Sequence, residues 1–134
     1  MTITVTLSQA QKVVAAALEH AEAIGQPVNV AVVDSGGNLI THVRQDGAWI
    51  GSVDIAISKA WTSRAFDIST ADLSEHAQPH SQFFGIQHTN GGRVAVFAGG
   101  VPLRLDGAVV GAIGVSGGSG AQDQAIAEAG AQAL

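Results

Sequence analysis

The chain predicts an α+β fold: a five-stranded antiparallel sheet flanked by helices, in the order α-β-β-α-(α)-β-β-β-α. Three observations carry that reading. Two pairs of apolar, β-branched runs are each joined by a short turn signal, Ser35–Asn38 in one and Asp106-Gly107 in the other, and both read as hairpins. The segment between them, from about residue 49 to 84, is helical or irregular. Both ends of the chain carry helical patterns closed or opened by glycine.

In order, the first helix opens near Leu7-Ser8, with Ser8 as N-cap, and Val13, Val14, Ala17, Leu18, Ala21 and Ile24 recur at helical spacing. Gly25 is a natural C-terminal stop, with Pro27 just beyond it. His20 lies late in this helix, where the dipole favours a solvated histidine. Residues 28–34 (VNVAVVD) form a strand, 35–38 a turn, and 39–44 the returning strand. Asp34 stands at that turn, where its carboxylate either bonds the turn backbone or anchors a pocket rim.

A polar loop, 44–48, leads to a helix from about Trp49 to Phe66, in which Ile50, Val53, Ile57, Ala60, Trp61 and Ala65 fit a buried stripe. Lys59 and Arg64 belong to its less apolar side, the place of a solvated face. A short helix, 73–76, follows a turn and cap at 69–73, and Pro79 limits its continuation. Residues 93–98 read as a third strand, 101–105 as a fourth and 108–115 as a fifth. Gly111 and Gly114 mark bulges or close backbone approach in the last of these. The loop 116–120 enters a final helix near Ala121.

Length and composition set bounds. At 134 residues, with no linker, repeat or low-complexity tail, residues 1–134 form one domain. A net charge of −5 with only six scattered Lys and Arg argues against a nucleic-acid partner. No apolar run is long enough for a membrane span, and the N-terminus has no export pattern, so a soluble cytoplasmic protein is expected. The absence of cysteine excludes a disulfide, a thiolate metal site and a cysteine nucleophile. Charged residues make up only 13%, and small residues are frequent on the terminal helices, which points to a homo-oligomer.

His76, His80 and His88 fall within thirteen positions, with Phe83 and Phe84 between them. His76 and His80 stand at i, i+4, a spacing that places two imidazoles on one helical face and makes them candidate metal ligands, although Pro79 weakens the helix between them. The loop 114–120 invites a phosphate-binding reading, but it matches neither a P-loop nor a dinucleotide fingerprint. A tight strand-to-helix turn fits it better. No nucleophile elbow or paired-carboxylate motif is present. An acid/base enzyme acting on a small organic acid, without a cofactor, would rest on Asp34 and Arg44. A third reading is a structural or assembly partner.

The segment GGVPLRLDGAVVGAIGVSGGSGAQDQAIAEAG, with VNVAVVDSGGNL, RQDGA and DIAISKAWTSRAF upstream, resembles the GlcG/HbpS family, which includes the C-terminal domain of PduO-type proteins. The resemblance covers essentially the whole chain. It implies a profilin-like sheet with the last helix beside the first, and a small-molecule ligand, haem first, in an accessory or sensing role. By that resemblance, the candidate axial ligands are His88 and Thr89, or His20 on the first helix, with Arg44 and Lys59 for the propionates. The iron-binding glutamates of the HbpS-type second helix are not reproduced, because the comparable positions carry Asp54 and Ile57.

Overall fold

A computed structural model describes residues 3–134. Helix α1 (Leu7–Ile24) leads into the hairpin β1 (Asn29–Asp34) and β2 (Leu39–Arg44). Helices α2 (Ser52–Phe66) and α3 (Thr70–His76) follow, then a long irregular segment with two 3-10 turns. Strands β3 (Gly100–Leu105) and β4 (Ala108–Ser116) and helix α4 (Gly120–Ala131) complete the chain. The sheet is antiparallel in the order β2-β1-β4-β3.

It has four strands among the described residues, one fewer than expected. The missing one is the segment 93–98. Its apolar residues Val94 and Ala95 are buried, but the Ala95 N–H donates to Thr62 Oγ1 of α2 at 3.0 Å, and Arg93 stacks on Trp61 at 3.7 Å. The segment therefore lies across α2 and joins no ladder. The sheet ends at β3, where Pro102 lacks the N–H a further neighbour would need.

The core is two-sided. On one face α1 and α4 pack side by side over Val30, Val32, Val110, Ile113 and Val115, with Val13, Ala17 and Ile126 pressed into the same cluster. On the other face α2 covers Ala31, Val33 and Ala112 with Ala56 and Ala60. That second face is paved with small residues, and a Cβ at Gly114 would strike the carbonyl of Ala56. The helix therefore lies close to the sheet, and only small side chains fit between them.

This overturns the expected stripe on α2. Its buried residues are Ser52, Ala56, Lys59, Ala60, Thr62 and Ser63, so only Ala60 of the six expected positions is covered. Ile50, 80% exposed, precedes the helix, and Val53, Ile57 and Trp61 are only half-buried.

The element ends follow local chemistry. Thr6, rather than Ser8, caps α1 through a reciprocal pair with Gln9, and Gly25 closes it at φ 70°. Asp106 and Gly107 both take positive φ, as the two-residue β3–β4 turn requires. Ser69 caps α3, which begins earlier than expected, at Thr70.

Candidate functional site

Lys59 is fully buried, contrary to its expected place on a solvated face. Its ammonium donates to the Val115 carbonyl at 2.9 Å and to Asp123 Oδ2 at 3.1 Å, and lies 4.6 Å from the Phe97 ring centroid. Two acceptors and a π-face thus surround its three donors. Burial lowers the Lys59 pKa, while Asp123, by charge and hydrogen bond, opposes the shift. In this conformation the side chain joins α2, β4 and α4 and presents no charge at the surface. Asp123 was not singled out from the sequence, and no spacing rule links it to a lysine sixty-four positions away.

Asp123 also accepts the Gly118 N–H through Oδ1, at 2.9 Å. Ser119 and Gln122 cap each other reciprocally at the start of α4. These amides of the glycine loop are therefore taken by the chain's own side chains, as a strand-to-helix turn demands.

The expected acid/base residues stand apart. Asp34 Oδ1 accepts from the N–H groups of Gly36 and Asn38, both at 2.9 Å, and so holds the hairpin turn. Arg44 pairs with Asn29 at the other end of the ladder. A six-residue strand separates the two ends by roughly 16 Å at 3.3 Å per residue. Arg44 instead borders a cleft of about 530 Å³ between the C-terminal end of α1 and the sheet, lined also by Glu22, Gln26, Gln45 and Asp46. His20, half-buried on α1, lies next in sequence to Ala21, which lines that cleft.

The remaining candidates cluster after α3. His76 is its last residue and Ala77 its C-cap, so the helical face expected to carry His76 and His80 does not form. His80 sits beyond Pro79 at φ 72°, a left-handed conformation, while the His76 imidazole bonds Gln82 at 3.1 Å and packs against Phe83. No group of three His, Asp or Glu among the described residues is placed to hold a metal ion. His88 and Thr89 are exposed on the turns that follow, with the Thr89 hydroxyl 2.6 Å from the Ile86 carbonyl. Phe83 and Phe84 are 47% and 60% exposed in the same segment.

This donor set fits haem in part. An imidazole and a hydroxyl are accessible, aromatic rings lie bare beside them in sequence, and Arg93 stands on Trp61 four residues on. The segment supplies exposed apolar side chains on one chain only, and neither His88 nor Thr89 lines the clefts beside α1, at the glycine loop or at the β1–β2 turn.

His42 escaped the sequence reading. Its Nε2 lies 2.9 Å from Oδ1 of the fully buried Asn29, whose Nδ2 donates to the Trp49 carbonyl at 3.1 Å. Burial and the neighbouring Arg44 lower its pKa. The available signal was an asparagine opening a strand whose next four residues are aliphatic.

The chain is similar to several known proteins over most of its length. An uncharacterized 15.0 kDa protein from the dhaT-dhaS intergenic region of Citrobacter freundii is 41% identical over 125 residues, covering 93% of this chain and 88% of that protein. The corrinoid adenosyltransferase PduO of Salmonella typhimurium is 38% identical over 113 residues, or 84% of this chain; the match spans only 34% of PduO. A crystal structure of a PduOC–haem complex superposes with a TM-score of 0.94 at 33% identity, covering 98% of this chain and 96% of the other. The model of the HbpS-like haem degrading proteins matches residues 5–132. With the α+β sheet and its flanking helices, that match places the chain in the HbpS-like family.

Proposed function

We propose that this chain binds haem, or a related tetrapyrrole, in an accessory or sensing role. The observation that carries the reading is the exposed segment after α3, where His88 and Thr89 follow two bare phenylalanines in sequence, within a chain that superposes closely on a haem-complexed relative. His88 or Thr89 would hold the iron, with His20 on α1 as the other candidate. Arg93, four residues past Thr89, would meet the propionates of a haem held there, and Arg44, on the cleft beside Ala21, those of a haem held by His20. Lys59 leaves that set, because its ammonium is enclosed. When bound, haem supplies redox and oxygen chemistry; the chain's part is to present a donor and shield one face.

One chain offers only one wall, so we propose that a second copy supplies the other. The bare apolar residues Trp49 and Ile50 before α2, 69% and 80% exposed, support an assembly of this kind. The enzyme reading built on Asp34 with Arg44 gains nothing from their placement. Titration with hemin tests the proposal: a saturable shift of the Soret band, lost in a His88→Ala, Thr89→Ala double variant, is expected. Retention of the full shift in that variant transfers the iron to His20, which His20→Ala then checks.

A further inference from the structure

We propose that His42 is the accepting centre of a second ligand site, on the edge strand β2, that takes a small hydroxycarboxylate with its carboxylate on Arg44. The argument begins with Asn29, fully buried at the head of a strand whose next four residues are aliphatic. Its Nδ2 must be the group that faces the Trp49 carbonyl, because a carbonyl only accepts. Its Oδ1 therefore faces His42, and the imidazole must carry its proton on Nε2. Nδ1 is left as a bare lone pair. No described residue bonds it, and it is not among the buried atoms that lack a partner, so solvent reaches it.

An imidazole oriented this way through a buried amide is a preorganised acceptor. Arg44 lies two residues on, opposite Asn29 in the ladder and so on the same face, exposed and in no ion pair among the described residues. Its charge and the partial burial keep the ring neutral, so Nδ1 remains an acceptor near pH 7. An accepting nitrogen beside an unpaired guanidinium matches a molecule that carries a carboxylate and a hydroxyl donor close together.

This site shares Arg44 with the cations proposed for haem but uses neither His88, Thr89 nor His20, and it is tested without hemin. Long-range ¹H–¹⁵N spectra of the His42 ring are recorded while lactate is added, with propionate, which lacks the hydroxyl, as the control. The free protein is expected to show the Nε2–H tautomer. Lactate should then shift His42 Nδ1 and the Arg44 side chain saturably, and propionate should bind roughly tenfold more weakly, the worth of one hydrogen bond to a preset acceptor. His42→Gln, a change on a half-exposed strand position, should keep the folded spectrum and bring lactate down to the level of propionate. Arg44→Gln should abolish both. An Nδ1–H tautomer, equal affinity for the two acids, or lactate binding unchanged in His42→Gln would each overturn the proposal. No saturable shift with lactate would overturn it too.

Discussion

Lys59 and Asp123 meet where neither charge can be hydrated, so each depends on the other. An interior ion pair adds little net stability against an apolar replacement, yet breaking it from one side strands a charge. Asp123→Ala should therefore destabilise the fold by about 3–5 kcal/mol. Lys59→Met, which removes the charge and keeps the length, together with Asp123→Leu, should recover much of that loss. Urea denaturation of the single and double variants measures both. His42 makes the opposite kind of claim. Its pKa is lowered on folding, so between that lowered value and the ordinary value of about 6.5 the unfolded chain binds the proton more tightly. Stability should thus fall as the pH drops through that window, and His42→Gln should flatten the slope in urea midpoints taken across it.

At the scale of elements, the approach of α2 to the sheet is set by Gly114 and its alanine neighbours. Gly114→Ala places a methyl against the Ala56 carbonyl, and because backbone cannot step aside as a side chain can, a loss of at least 1–3 kcal/mol, typical of overpacking (about that range), is expected. Thermal unfolding of the variant checks it. The same packing explains what was legible in the sequence. The turns at Asp106-Gly107 and Gly25, and the close approach at Gly111 and Gly114, follow from backbone conformations or contacts open mainly to glycine, and the sequence names them directly. The buried face of α2 was not legible, because periodicity assumes that the larger apolar residues point inward. Here the sheet surface is Ala31, Val33, Ala112 and Gly114, Ile57 packs only at the margin of that cluster, and Trp61 stays half-buried. Segment 93–98 misled for a related reason: its apolar residues are buried, but against a helix that supplies Thr62 as acceptor in place of a neighbouring strand. Of the candidate ligands, His88 stood out by its His and Phe neighbours in sequence, and Thr89 came from the family resemblance alone. His42 was not, because its partner Asn29 is brought to it only by the β1–β2 ladder.

At the scale of the molecule, α1 and α4 seal one sheet face, while α2 seals the other and turns apolar side chains outward. Trp49 and Ile50 extend that outward surface, and the aromatic segment after α3 leaves more of it bare. Exposed surface of this kind is expected to be covered by a second copy. Light scattering at micromolar concentration should then report a species larger than the monomer, and Ile50→Ser with Trp49→Ser should shift it toward the monomer without changing the far-ultraviolet circular dichroism. Haem binding unites the family membership, the exposed donors and the single apolar wall in one account. Its most direct test is the absorbance titration of the purified protein with hemin. A Soret shift that saturates at one haem per chain or per pair of chains, and disappears with His88→Ala, Thr89→Ala, is the expected result. A featureless rise that never saturates would contradict it.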